Sequence, residues 1–133
     1  MISYLSGTII DSDEQTITID VNGVGYLVHV PMNISSNTGE EVAIHIFTHM
    51  KESTLELYGF NNKKEKRLFQ ILIKISGIGP KTALATLNIA SPDQIFEALE
   101  EKNISFFTQV PGIGKRTAGK LIIELQEKFT EDD

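Results

Sequence analysis

Two segments of this chain carry the residues best suited to chemistry, and they are copies of one another. Ser76-Gly77-Ile78-Gly79-Pro80-Lys81-Thr82-Ala83 is followed, 35 residues later, by Pro111-Gly112-Ile113-Gly114-Lys115-Arg116-Thr117-Ala118, with five of eight positions identical. The residue types suit the capture of a phosphate. Gly77 and Gly112 reach backbone angles closed to other residues, and Gly79 and Gly114 let an anion approach the main chain with no Cβ in the way. Ile78 and Ile113 point back between flanking elements and fix the turn. If a helix starts just after each turn, its unpaired N–H groups and the positive end of its dipole face the anion. Lys81 in one copy, and Lys115 with Arg116 in the other, then add mobile cations.

Each copy follows a short amphipathic stretch and opens another, so the Gly-Ile-Gly lies between two helices: the helix-hairpin-helix pattern. The candidate phosphate-binding residues are Gly77, Ile78, Gly79, Lys81 and Thr82 in the first copy. Those of the second are Gly112, Ile113, Gly114, Lys115 and Arg116, with Lys120 one turn further on. Every duplex has phosphates whatever its sequence, so such contacts position DNA without reading bases and favour selection by shape. Other glycine motifs fail on particulars. A dinucleotide fingerprint needs a third glycine where Thr82 and Thr117 stand and a strand before it, and a phosphate-binding Walker loop needs glycine at Gln109 and Ser or Thr at Arg116. No nucleotide site and no cofactor is expected. Two other readings stay open on these residues: a helix-hairpin-helix DNA repair enzyme, for which the terminal acids Glu124, Glu127, Glu131, Asp132 and Asp133 offer no clear partner site, and a protein-interaction module whose turns only pack helices.

The elements that must hold these turns are legible from periodicity. Over residues 1–60 apolar and polar residues alternate in short runs, the pattern of half-buried strands. Ile17, Ile19 and Val21 share one face against Thr16, Thr18 and Asp20. Asn22-Gly23 supplies a tight hairpin, and Val24–Val30 returns. Strands are predicted over 2–10, 15–21, 24–30, 41–49 and 54–59. Five short strands suit an OB-like closed barrel, which leaves no exposed sheet edge, with an SH3-like barrel as the rival. From residue 62 the spacing becomes helical. Asn62 and Glu65 form a possible capping box ahead of Leu68, Ile71, Leu72 and Ile75, and Ser91-Pro92-Asp93-Gln94 is a second start signal. Further helices are predicted at 80–87, 104–109 and 115–129. The fold class is therefore α+β, with a five-stranded OB-like barrel over 1–62 and an all-α domain of about five helices over 63–133.

Composition bounds the function. With 133 residues, 41% hydrophobic, the chain buries one modest core or two small ones. It has no cysteine, which excludes disulfides, Cys-ligated metals and thiol redox chemistry. No apolar run approaches the roughly 18 to 20 residues of a membrane span, and Met1-Ile2-Ser3-Tyr4 lacks the basic start of a signal peptide. A soluble, cytoplasmic protein with no membrane partner is expected. The net charge of −6 argues against nucleic acid until its distribution is read. Residues 1–60 hold one base and eight acids, residues 61–120 ten bases and five acids, and residues 121–133 one base and five acids. Lys63, Lys64, Lys66, Arg67 and Lys74 either widen the positive surface or are solvated helix faces. His45 and His49 share a strand face about 13 Å apart by strand rise, too far to share a metal.

Read together, these blocks resemble the RuvA family of bacterial Holliday-junction-binding proteins. The likeness is carried by Met1-Ile2, Gly23-Val24-Gly25-Tyr26, His29-Val30-Pro31-Met32, Phe47-Thr48-His49 and Leu57-Tyr58-Gly59-Phe60-Asn61-Asn62, then by both hairpins and Lys120-Leu121-Ile122. The resemblance implies a homotetramer, or a pair of tetramers, that spreads a four-way junction against one face. It also implies partnership with the RuvB motor ATPase and the RuvC resolvase in branch migration, recombination and repair. The chain itself is then non-catalytic. Family members carry an acidic pin of two adjacent acids in a barrel loop. Here Lys51-Glu52-Ser53-Thr54-Leu55 keeps one, Glu52, in a shorter loop, so the repulsion it offers is weaker. The family also adds a linker and a small third domain that engages RuvB, so a sequence ending at Asp133 is expected to be a fragment.

Overall fold

Alternation of apolar and polar residues becomes a barrel because one face of every strand finds a common interior. A computed structural model describes residues 1–132, with side chains described through Lys128. Its strands are β1 (Tyr4–Asp13), β2 (Thr16–Val21), β3 (Val24–His29), β4 (Glu41–Lys51) and β5 (Thr54–Phe60). They close in the order β1-β2-β3-β5-β4, with β4 returning to β1. All neighbours are antiparallel except β3 and β5, which pair in parallel through Val28 with Leu57 and His29 with Tyr58. The barrel is thus OB-like, the first of the two arrangements the sequence allowed. Its core holds Ile9, Ile17, Ile19, Val28, Ile44 and Ile46, all essentially without solvent contact. The β2–β3 turn has Asn22 at φ 53° and Gly23 at φ 94°, the pair of positive angles a two-residue hairpin needs. Asp20 Oδ1 accepts from the Gly23 N–H at 2.9 Å and holds it.

β1 departs from the expected 2–10. It begins at Tyr4 and continues to Asp13 through a register shift between Ile9 and Asp11. The extra residue, Ile10, points outward beside fully buried Ile9, so two adjacent isoleucines break the alternation that would have revealed the longer strand.

The remaining chain forms α1 (Lys63–Leu72), α2 (Pro80–Ile89), α3 (Pro92–Glu100), α4 (Ile104–Thr108) and α5 (Lys115–Asp132). By contacts, the molecule divides into two compact units, Met1–Lys66 and Arg67–Asp133. That division falls four residues beyond the change of sequence period, because the first turn of α1 is tied to the barrel unit. Asn62 Oδ1 accepts from Glu65 N at 2.9 Å, as a cap should. The Glu65 side chain, however, does not return to the cap's backbone; its Oε1 accepts from Asn33 Nδ2 at 3.0 Å, pinning the loop after β3. α3 has the complete box: Gln94 N donates to Ser91 Oγ at 3.3 Å, and Ser91 N donates to Gln94 Oε1 at 2.9 Å. In the second unit Ile95, Phe107, Leu121 and Leu125 are fully buried, and Gln126 Nε2 of α5 donates to the Leu99 carbonyl near the end of α3 at 3.1 Å.

Candidate nucleic-acid interface

The two repeated segments form the same turn. Ile78 N donates to the Ile75 carbonyl at 3.0 Å, and Ile113 N donates to the Val110 carbonyl at 3.0 Å. Each bond closes a four-residue turn whose third residue is Gly77 (φ 93°) or Gly112 (φ 96°). That is the position where a type II turn demands a positive φ and hence glycine. Ile78 and Ile113 are each 4% exposed, so each hairpin is anchored by its isoleucine, as the residue type suggested. The next glycines work differently. Gly79 is the N-cap of α2 in ordinary extended backbone, φ −93° and ψ 178°, an arrangement open to any residue. A Cβ placed on Gly79 or Gly114 would meet nothing within 4 Å. Neither the backbone nor the packing of this chain calls for glycine there; what it provides is an unobstructed approach to the helix mouth.

Behind those mouths the helices begin at once. Ala83 N donates to Gly79 O at 3.0 Å and Ala118 N donates to Gly114 O at 2.8 Å, the first helical bonds of α2 and α5. The N–H groups ahead of Ala83 and Ala118 have no partner within their helix, and no side chain caps α2. They belong to Lys81 and Thr82 in the first copy, where Pro80 has none, and to Lys115, Arg116 and Thr117 in the second. The side chains of Lys81, Lys115, Arg116 and Lys120 are exposed. Lys120 stands four residues after Arg116 and so shares its face of α5.

The structure also brings the two turns together. A Cβ on Gly112 would lie 3.1 Å from Thr82 Oγ1, and one on Gly77 would lie 3.7 Å from Thr117 Cγ2. Each threonine of the repeat therefore lies beside the apical glycine of the other copy. Both threonines are half-buried. The side chain of Thr82, counted among the phosphate ligands by sequence, lies beside the companion turn, and its backbone N–H belongs to the helix mouth. Thr117, which sequence reasoning did not single out, occupies the equivalent place beside the first turn, as its identity with Thr82 across the repeat allowed.

The other sequence candidates lie elsewhere in the chain. Glu52 and Ser53 form the exposed two-residue turn joining β4 to β5, the short loop expected for the single-acid pin. His45 packs edge-on against Tyr4 with centroids 5.8 Å apart, and His49 lies 6.2 Å from Tyr58, so both serve aromatic packing on the barrel's outside. Lys63, Lys64, Arg67 and Lys74 are exposed and Lys66 is half-buried. Among the described residues no helix is long and apolar enough to cross a membrane.

An OB-like barrel followed by a tandem of helix-hairpin-helix turns, each opening a helix with exposed cations, defines the class of protein to which this chain belongs. Residues 1–59 match the family described as RuvA N terminal domain, and residues 69–127 match the SAM-like helix-hairpin-helix tandem. The chain is 41% identical over 136 residues to the Holliday junction branch migration complex subunit RuvA of Geobacter metallireducens, an alignment covering 100% of this chain and 68% of that protein. It is 42% identical over 135 residues to the protein of the same name from Pelobacter propionicus, covering 100% and 68%. With that of Halalkalibacterium halodurans the identity is 39% over 133 residues, covering 98% and 66%. The chain belongs to the RuvA family and spans about two thirds of the length of these relatives.

Proposed function

We propose that this chain binds four-way DNA junctions through their phosphates, without reading sequence, as the junction-binding subunit of a branch migration complex. The observation that carries this reading is the pair of Gly-Ile-Gly turns. Each presents first-turn N–H groups, a glycine mouth that nothing in the chain obstructs and exposed cations, and the two are packed into one unit. Helix-terminal amides and dipoles favour a phosphate oxygen, and the mobile cations strengthen the contact. The relatives' names, which specify a Holliday junction branch migration complex subunit, supply the branched substrate.

The mechanism is one of holding. Four copies grip four arms by their backbones and keep the crossover open, while a separate RuvB motor supplies the energy and a RuvC resolvase acts on the held junction. No step of bond making or breaking is assigned to this chain, whose place is the cytoplasm. Glu52, in the β4–β5 turn, is the acid assigned to repelling strands at the crossover. A gel shift of a four-way junction against linear duplex of the same arm sequence tests the reading. The junction is expected to be retained at protein concentrations that leave duplex free, without cleavage in magnesium. Equal retention of both, or a cleaved product, overturns it.

A further inference from the structure

We propose that the tip of the β4–β5 hairpin is a second DNA-contacting site, an apolar wedge in which Met50 and Leu55 lie against unpaired bases at the branch point while Lys51 meets an adjoining phosphate. The inference rests on the junction-binding reading above and adds to it how the branch itself is recognised. The hairpin outruns the barrel. β1 pairs with β4 from Glu41 to His45, and β3 pairs with β5 at Leu57 and Tyr58. His49 with Glu56, Met50 with Leu55 and Lys51 with Thr54 lie beyond both, so among the described residues this end of the ribbon has no strand at either side. Side chains alternate between the two faces of a strand. The row that fills the barrel, Ile44, Ile46 and Thr48 on β4 and Leu57 on β5, is buried. Its next members are Met50 and Leu55, which are 67% and 58% exposed. They stand directly opposite one another, near enough to form one apolar patch.

The charges around the pair select the occupant. Residues 1–60 carry eight acids and one base, and that base is Lys51, next to Met50. Glu56 belongs to the other face of the ribbon, where its Oε2 accepts from the Tyr58 hydroxyl at 2.6 Å. Within a unit whose acids repel polyanions, the face formed by Thr48, Met50, Leu55 and Leu57 therefore carries no carboxylate and ends beside a cation. Lys51 leaves the strand on the other face, but at the last pair before the turn its flexible stem reaches a backbone that crosses the tip. An apolar surface flanked by phosphate is what a nucleobase offers. Inside a duplex both faces of each base are covered by its neighbours, whereas at a branch point the stack is interrupted, and exposing a base costs least where pairing is already lost. Leucine and methionine are among the side chains that wedge between base steps, and the unbranched thioether of Met50 adapts to an irregular surface. Linear duplex presents no such opening, so the wedge favours branched DNA without reading its sequence.

The test uses the whole chain and a four-way junction with 2-aminopurine, a base whose fluorescence rises on unstacking, at the branch point, beside a linear duplex labelled in the same sequence. Saturating protein is expected to raise the junction signal roughly twofold and leave the duplex signal unchanged. Met50→Thr with Leu55→Thr keeps strand propensity and removes the apolar surface. This pair is expected to lose most of the rise and about tenfold in junction affinity, with duplex affinity and melting temperature near the parent's. Should it melt early, Met50→Thr alone is expected to lose about half of the rise. Met50→Leu with Leu55→Met keeps the patch and the rise. Lys51→Ala is expected to reduce the salt dependence of junction binding by about one phosphate contact and to leave that of duplex unchanged. The proposal is overturned if the threonine variants raise the signal as the parent does, if duplex affinity falls with junction affinity, or if the exchanged pair loses the rise. It is overturned too if the threonine pair sediments as a smaller species without DNA, since a second copy then covers the patch. A parent that does not distinguish junction from duplex in the gel shift sinks the junction reading itself, whereas one that does, with a flat fluorescence signal, sinks the wedge alone.

Discussion

The four glycines of the two turns separate into two kinds. Gly77 and Gly112 are required by the backbone, since an L-residue forced into positive φ costs roughly 1–2 kcal/mol. Gly112 also faces Thr82 closely enough that a methyl would push its hydroxyl aside by a few tenths of an ångström, while Gly77 has ordinary clearance. Gly112→Ala is thus expected to lower the urea midpoint more than Gly77→Ala, and both to weaken DNA binding through loss of the turn. Gly79 and Gly114 lie in open space, so alanine there costs at most about 1 kcal/mol, the usual range for a poorer helix cap. The added methyl instead occupies the anion's path, and junction affinity is expected to fall out of proportion to stability. Affinity that merely tracks stability across all four variants would show that the second glycines have no ligand to admit. The copies also differ in strength. The second presents one more N–H and one more cation than the first, because Lys115 stands where Pro80 does. Lys115→Ala with Arg116→Ala is expected to flatten the plot of log affinity against log salt about twice as much as Lys81→Ala does. Equal changes would remove the asymmetry.

At the scale of elements, local pattern told most where one face alone is buried. Ile17 and Ile19 alternate with half-exposed neighbours, and β2 was read to within one residue; the box at Ser91 and Gln94 likewise placed α3. What stayed hidden is non-local. The parallel closure of β3 on β5 joins Val28 to Leu57 and His29 to Tyr58, a pairing no window of sequence displays, so OB-like and SH3-like barrels could not be separated. The same holds for Asn33 taking Glu65 away from its capping box and for Thr82 lying beside Gly112. Tyr58 shows what such closure does to chemistry. His29 stacks on it with centroids 5.0 Å apart, and its hydroxyl donates to Glu56 Oε2 at 2.6 Å. Burial first, then the Glu56 carboxylate, raises the phenol's pKa above its ordinary value. A raised folded-state pKa means the stabilisation is complete below the unfolded tyrosine pKa of about 10 and is lost as pH climbs beyond it. Tyr58→Phe is expected to cost about 0.5–1.5 kcal/mol at neutral pH, with the gap to the parent shrinking between pH 9 and 11 in urea titrations. A gap that stays constant or widens would contradict the coupling of Tyr58 to Glu56.

For the whole molecule the decisive quantity is how charge is divided. One base against eight acids over residues 1–60, and ten against five over residues 61–120, means that phosphate contacts must come from the second stretch while the first repels polyanions. With a Debye length of about 8 Å at physiological salt, that repulsion does not cancel direct contacts, but it leaves a single copy with little long-range attraction. Two turns on one copy hold about two phosphates and release few counterions, so a single copy binds weakly at physiological salt. Several copies acting on one DNA are therefore expected to bind more tightly than one, and a junction with four arms offers four equivalent places. Four copies with about eight contacts give a slope near −7, steep enough that binding falls by about four orders of magnitude between 50 and 200 mM salt. Sedimentation of the junction complex is expected to show four copies bound, or eight if tetramers pair, with that slope measured on the same sample. One bound copy with a slope near −2 would mean that the two turns suffice alone, and that the acidic barrel has no part in gathering subunits around the crossover.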